Sequence, residues 1–456
     1  MRMTLGQRVI VIGGGASGVL AAVNLSRTLG RDAEVVLVEP AEAPGRGLAY
    51  STRDPQHLLN VRVSNMSAFP NDPDHFFRWL QRRGAAEGIG CATHFCFVPR
   101  RVYGAYLAQL FEDALMENVR HLRGSAVGIR LLPDGVDVSL SDGASIRGGA
   151  VILATGHDPR PPRGDAVRDA WDPEATAGLD PDAEVGILGT GLTMVDVVLT
   201  LRRQGHRGRI QAISRRGLMP AVHAVAAPRP IPREAVPIGA PLSRILAWLR
   251  GLVRAAARDG TDWRSVVDGL RPHTRALWQG MDRDQRARFL RHARPWWDVH
   301  RHRMAPAVAE TIGNLSRDRR LDVTAAKVVA VGGGAGLEVT FRRRGTEALE
   351  VLRVARLIDA TGLPSDVRTS PNPVIRSLID QGLASVDDLA LGLAVSDDYA
   401  IVDTGGRPSD RLYAVGPLCR GAMWEMIAIP DIRQQCAELA DHLAALLQRP
   451  PLRSAG

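Results

Sequence analysis

Three glycines and one acid carry the first chemistry that the sequence suggests. Gly13, Gly15 and Gly18 occupy the glycine places of a GxGxxG turn, and Glu39 closes the strand that follows the next helix. Gly13 permits a tight turn, Gly15 lets the main chain approach a pyrophosphate, and Gly18 allows a helix to pack closely on a strand. Ser17 stands in the first helical turn, where free N–H groups and the helix dipole favour an anion. Glu39 is placed to bind the hydroxyls of an adenosine ribose. The chemistry is retention of a dinucleotide. No Ser-His-Asp arrangement and no paired-carboxylate site accompanies it.

A second glycine turn follows in Val185–Asp196. Gly189 and Gly191 take the first two places, and Met194 stands where the third glycine would be, so the helix is expected slightly further from its sheet. The next strand, Ile210–Ser214, ends in Ser214, Arg215 and Arg216 instead of an acid. A hydroxyl and a guanidinium suit a 2′-phosphate, whereas a free ribose diol wants a carboxylate, so the pattern leans towards NADPH over NADH. Cys91 and Cys96 share the spacing of a redox pair but lie far beyond Glu39, and two buried thiols are the preferred reading. His300 and His302 lack carboxylate partners at metal-ligand spacing, so no metal site is expected.

The elements that position these residues can be read from periodicity. Val9–Ile12 is a short buried strand, Ala16–Leu29 a helix, and Glu34–Glu39 a second strand. An amphipathic helix is expected from Asp74 to about Arg82, and another from Pro99 to about Asn118. Alternation over Gly135–Leu140 reads as a half-exposed strand, and Val151–Gly156 as a buried strand with an Ala-Thr-Gly exit. Pro159, Pro161 and Pro162 then mark a linker. Residues 235–315 read as a helical insert, with Trp248, Trp263, Trp278, Trp296 and Trp297 mostly in its core and one or two free to line a pocket. In the basic aromatic stretch 291–303, most charges read as a solvated face, with an anion-facing role for Arg301 or Arg303 as the minority reading. Residues 322–362 echo 122–156 and end in a second Ala-Thr-Gly exit, as if the chain left the first domain and came back. A last strand ends at Gly416, and a helix runs from about Asp431, its expected cap, to Leu447.

The fold class is therefore α/β, with two Rossmann-like dinucleotide-binding domains and a helical insert. The expected boundaries are 1–180 for the first part of one domain, 181–320 for the second with its insert, and 321–456 for the return. The chain has 456 residues, ordinary hydrophobic and charged content (45% and 23%), and a net charge of +9. It contains one lysine, Lys327, so the positive charge is almost all arginine. A GC-rich genome gives the same bias, and no nucleic-acid motif accompanies it, so nucleic acid is not expected as a partner. The surplus suits anionic cofactors and an anionic substrate. The first strand begins by Arg8 and no apolar run reaches membrane length, so a cytoplasmic enzyme is expected.

Taken together, the glycine turns, the Ala-Thr-Gly exits and the terminal strand–helix resemble two-dinucleotide-domain flavoproteins. Gly47-Leu-Ala-Tyr50, His57-Leu-Leu-Asn60, Pro99-Arg100 with Tyr103-Gly104, Ser214–Gly217, and Trp424-Glu425 with Pro430–Arg433 narrow the resemblance. They resemble the FAD/NAD(P)-binding family that includes flavin N-hydroxylases of amino acids and a urate hydroxylase. The resemblance implies FAD in the first cradle, with further contacts from Gly47, Asn60, Gly156 and Gly416, and NADPH or NADH in the second. The helix near Asp431 would point at the flavin pyrimidine edge. The implied activity is monooxygenation, in which the reduced flavin captures O2 and a C4a-(hydro)peroxide transfers one oxygen atom. Arg100 and Arg433 are the candidate anion-orienting residues, and Trp424 and Glu425 the wall and polar contact near the flavin. Met194 and Gly416-Pro417 depart from wider flavoprotein patterns. Urate is the leading substrate expectation, with amino-acid or amine N-hydroxylation second. A flavin reductase or dehydrogenase without oxygen insertion, and a flavin-bearing nucleic-acid-binding or regulatory protein, are the remaining alternatives.

Overall fold

The computed structural model describes residues 7–87, 91–160, 166–333, 337–363 and 366–447. Its described residues begin with β1 (Arg8–Ile12), the helix Ala16–Leu29, β2 (Glu34–Val38) and, after three further α-helices, β3 (Val119–Leu122). An antiparallel ribbon of β4 (Ala126–Leu132), β5 (Gly135–Leu140) and β6 (Ser145–Gly148) leads into β7 (Ala150–Leu153). Strand β1 pairs in parallel with both β2 and β7, and Val9, Ile10 and Val11 are fully buried between them. Burying each such side chain is worth roughly 1.5–3 kcal/mol, which is why an uninterrupted apolar run marks a central parallel strand.

A second sheet then forms from β8 (Val167–Asp169), β9 (Val185–Leu188), β10 (Ile210–Ser214), β11 (Leu321–Gly333), β12 (Leu337–Arg343), β13 (Leu349–Val354) and β14 (Arg356–Asp359). Its order is β13-β12-β11-β10-β9-β14-β8, with the hairpin pairs β11–β12 and β12–β13 antiparallel. Only β15 (Ala400–Val402) and β16 (Pro408–Ala414) rejoin the first sheet, giving β15-β16-β7-β1-β2-β3. The return therefore falls after Asp359 and not at residue 321. The second unit begins at β8, before residue 181. The echo between 122–156 and 322–362 is real in plan but was assigned to the wrong sheet. Each Ala-Thr-Gly exit closes its own nucleotide domain, because an alternating ribbon followed by a buried parallel strand recurs in both.

Helices between β10 and β11 build the insert, from Leu242–Arg258 to Pro306–Arg317. Trp278 is its buried centre and donates its indole N–H to the carbonyl of Gly421 (2.7 Å), which ties the insert to the first domain. Cys91 and Cys96 are not separate thiols. They form a disulfide with Cα atoms 5.6 Å apart, at the usual spacing for such a bridge, in the loop after the helix His75–Glu87. Of the proline linker, Pro159 is described, whereas Pro161 and Pro162 lie outside the described residues.

Candidate functional site

The first glycine turn is shaped by what surrounds it. Gly13 has φ +104°, and a Cβ there would meet the Ala154 carbonyl oxygen at 2.6 Å; a Cβ on Gly18 would fall on the Gly13 carbonyl. Gly15 is the N-cap of the helix Ala16–Leu29, with no side chain capping it and no acid in the first turn. The free N–H groups at that end are left for an anion, as a pyrophosphate cradle requires. Glu39 accepts hydrogen bonds from the N–H groups of Gly14 (2.5 Å) and Ala41 (2.9 Å), so its carboxylate is fixed beside the turn. Gly14, which the motif leaves free, is equally constrained, since a Cβ there would sit 2.4 Å from the Glu39 side chain.

Gly47 packs over Gly15, where a Cβ on Gly47 would lie 3.1 Å from the Gly15 Cα. Gly416 comes in from the far end of the chain with φ +72°, and a Cβ on it would lie 2.6 Å from Ser17 Oγ. Its N–H donates to Gln435 (2.7 Å) on the helix Ile429–Leu447. Gly13, Gly15, Ser17, Gly18, Glu39, Gly47 and Gly416 thus converge on one end of the first sheet. The last helix starts earlier than expected. Asp431 does not cap it but accepts a two-pronged ion pair from Arg271 (2.7 and 3.3 Å).

The second turn repeats this geometry. Gly189 has φ +99°, and a Cβ there would meet the Ala360 carbonyl oxygen at 2.5 Å, as Gly13 does with Ala154. Gly191 is again an uncapped helix N-cap and has open space around it. Met194 is fully buried and packs into the apolar core with Val185 and Ile187. Ser214 is already engaged: it shares a hydrogen bond with Thr190 Oγ (2.9 Å) and accepts one from the Gly217 N–H (3.0 Å). Arg216 is turned away to the carbonyls of Arg291 and His292. Arg215 is exposed at the rim, with no ion pair among the described residues.

Between the two domains lies a cavity of about 720 Å³. Gly189, Gly191, Ser214 and Arg215 line one side, and Arg420, Trp424, Glu425, Arg294 and Asp298 line the other. Trp424 has φ +58°, a conformation that costs a bulky residue of order 1–3 kcal/mol. Its ring is held there by stacking on Trp278, with centroids 4.7 Å apart and planes within 22°. Glu425 is buried and accepts from Trp297 Nε1 (2.7 Å) and Arg301 Nε (3.2 Å). Burial acts to lower the Arg301 pKa, but the carboxylates of Glu425, Asp431 and Asp268 outweigh it and hold the guanidinium above its ordinary value.

Arg100 and Arg433 do not line this cavity. Arg100 forms an ion pair with Asp196 (2.8 Å) on the helix Leu192–Arg203 and donates to the Leu58 carbonyl. Arg433 donates to the Ser67 carbonyl (3.0 Å), and its pKa is lowered by burial against the opposing pull of Tyr103. Asn60 presents its carbonyl to His223 (3.0 Å). Gly156 has φ +72° and borders a small cleft beside Pro417 and Arg420. In the stretch 291–303, Arg291 and His292 are exposed, whereas Arg294, Asp298, Arg301 and Arg303 are half-buried or buried, against the solvated-face expectation for most of its charges. Arg303 is 1% exposed and fully paired with Asp268 (2.6 and 3.1 Å). Among the described residues no cluster of His, Cys, Asp and Glu could hold a metal.

Arg420, Arg294 and Asp298, none of them singled out by motif, border the cavity together with His302. One signal was available: Arg294, Asp298 and His302 recur at a spacing of four, one face of a helix.

Residues 10–158 match a family model described as FAD-NAD(P)-binding. No curated protein matches the chain. Solved structures do. An ornithine N-hydroxylase from a Kutzneria species, holding reduced FAD, NADP+ and L-ornithine, is 18% identical with a TM-score of 0.65, covering 97% of this chain and 99% of that one. The L-lysine 6-monooxygenase of Pseudomonas syringae is 16% identical (TM-score 0.67; 97% and 99% covered). The FAD-bound cadaverine monooxygenase of Erwinia amylovora is 12% identical (TM-score 0.68; 96% and 94% covered).

This chain has the fold of the two-dinucleotide-domain flavin monooxygenases. Its first glycine turn lies within the residues that match the FAD-NAD(P)-binding model, and the second turn repeats that backbone geometry. No helix among the described residues is long and apolar enough to cross a membrane.

Proposed function

We propose that this protein is an FAD-dependent, NADPH-consuming monooxygenase that N-hydroxylates a small amine. One observation carries the reading: a single cavity joins the second nucleotide turn to the Trp424–Glu425 wall, so a pyridine nucleotide and a small substrate would meet at one place. The overall reaction balances as amine, O2, NADPH and a proton giving hydroxylamine, NADP+ and water. Bound FAD supplies the hydride acceptance and oxygen activation.

The protein's own contribution is positioning. The free N–H groups at Gly15 and Gly191 would hold the two pyrophosphates, and Glu39 would bind a ribose diol. Arg215 would bind the 2′-phosphate, because Ser214 is committed to the turn. Trp424, fixed by Trp278, forms an apolar wall that excludes water. Glu425 is locked by Trp297 and Arg301, so it keeps that wall in place and is not free to act as a base.

Support for an amine comes from the fold shared with ornithine, lysine and cadaverine hydroxylases. Nothing in the cavity or the comparisons favours urate, and that expectation gives way. The test is a screen of FAD-loaded protein with amines and with urate, following NADPH oxidation, peroxide release and hydroxylamine product. An amine should raise NADPH oxidation with stoichiometric hydroxylamine. Stimulation by urate alone, or turnover yielding only peroxide, would reject the reading.

A further inference from the structure

Arg420 is 7% exposed, yet its Nε is buried with no hydrogen-bond partner, and among the described residues it makes no salt bridge. A buried guanidinium left so is costly, since removing a charge from water without a partner is strongly unfavourable. The contrast within this molecule is direct: Arg303, similarly buried, is fully paired with Asp268, and Arg301 is paired with Glu425. Arg420 lines the cavity and lies over the Trp424 ring (5.0 Å). The neighbouring carboxylate, Asp298, attracts it through space but is itself paired with Arg294 (3.2 Å). Burial first, and then the charge of Arg294, pull the Arg420 pKa down to about 10, which still leaves it cationic at neutral pH.

We infer that Arg420 is the anchor for a carboxylate of the substrate, its planar fork reserved for two oxygens that enter the cavity. The inference rests on the proposed function only for the rest of the substrate: the amine is that of an amino acid and not of a diamine. Arg420 is one fixed guanidinium on the Trp424 wall, opposite the nucleotide turn, so a carboxylate held there would orient the far end of the molecule. This role was assigned by sequence to Arg100 and Arg433, both of which have partners of their own.

The test uses the FAD-loaded full-length protein and its Arg420→Met and Arg420→Lys variants. Calorimetric titration with sodium acetate, without NADPH, reads the anchor alone. Acetate should bind wild type and lose at least tenfold in Arg420→Met, with Arg420→Lys between them. The unliganded Arg420→Met protein should melt at or above the wild-type temperature, because an unpaired buried charge has been removed. NADPH oxidation is then measured with L-lysine and with cadaverine. L-lysine should be preferred in wild type, and Arg420→Met should raise its KM at least tenfold while changing the cadaverine value less than threefold.

Acetate binding that is absent in wild type or unchanged in Arg420→Met overturns the anchor. A flavin absorption spectrum that moves in unliganded Arg420→Met while acetate binding persists also overturns it, since the guanidinium would then serve the flavin. Preference for cadaverine over L-lysine overturns the substrate-carboxylate assignment. If neither amine stimulates turnover but acetate still requires Arg420, the anchor stands and the amine reading fails.

Discussion

Single side chains here divide into those with partners and those without, and that division predicts their roles. Among the described residues, Arg215 at the second glycine turn is exposed and makes no ion pair. A charge-assisted bond to a phosphate is worth about 1.5–3 kcal/mol, so Arg215→Gln should raise the KM for NADPH roughly 10- to 100-fold while leaving NADH nearly unchanged. Equal effects on both nucleotides would place the 2′-phosphate elsewhere. Glu425 is the opposite case, a buried acid between two donors. Glu425→Ala would strand Arg301, and breaking a buried pair costs about 3–5 kcal/mol, so a clear fall in melting temperature is expected. Residue type and spacing single out Gly13, Glu39 and Arg215 as candidates, because those motifs are local. Whether Arg100 or Arg420 carries a free charge depends on Asp196 and Trp424, which no spacing along the chain reveals.

The two strand–turn–helix units look alike but tolerate change differently. In the first, a Cβ at Gly18 would fall on the Gly13 carbonyl, so Gly18→Ala must push the helix Ala16–Leu29 off β1. That variant should yield little folded protein and no bound flavin. In the second, Gly191 has open space and an extended backbone that any residue can adopt. Gly191→Ala should keep the fold, the melting temperature and the bound flavin. It should raise the KM for NADPH at least several-fold, because the new methyl group occupies the approach of the pyrophosphate. Loss of flavin from Gly191→Ala would refute the division of labour between the turns. Element positions were largely legible: the helix Ala16–Leu29 and the strands Gly135–Leu140 and Ile210–Ser214 fall where periodicity puts them. The membership of β11–β14 was not, since it is set by the parallel pairing of β11 with β10 and of β14 with β9, strands far apart in the chain.

For the whole molecule, one face of the helix Leu192–Arg203 joins the two domains, alongside the ties made by the insert. Asp196 receives Arg100 (2.8 Å), Thr200 meets His57 (2.9 Å), and Arg203 pairs with the buried Asp54 (2.8 Å). Arg100→Ala should therefore slow flavin reduction by NADPH several-fold in stopped-flow measurements while leaving the Kd for FAD unchanged. A selective rise in substrate KM instead would restore Arg100 to the substrate site. Acid stability follows from buried histidines. Burial, aided by neighbouring arginines, lowers His223 and His302 to about 4, below the 6.5 of an unfolded chain. The unfolded state then binds more protons between those values, so stability is complete above pH 6.5 and is lost as pH falls towards 4. The loss is at most about 3 kcal/mol per histidine. Melting temperature should drop from pH 7 to pH 5, and His302→Gln should flatten that slope.

By itself, the sequence determined two glycine turns of the same strand–turn–helix form and the helical insert between the strands of the second sheet. Glycine φ requirements and apolar periodicity act over a few residues and are written in order along the chain. Only the tertiary structure decided which sheet each Ala-Thr-Gly exit closes, that Arg100 and Arg433 are spent on internal partners, and that Arg420 lines the cavity with no salt bridge among the described residues. Charge pairing and burial are set by residues brought together from distant parts of the chain, and that proximity exists only once both sheets have formed.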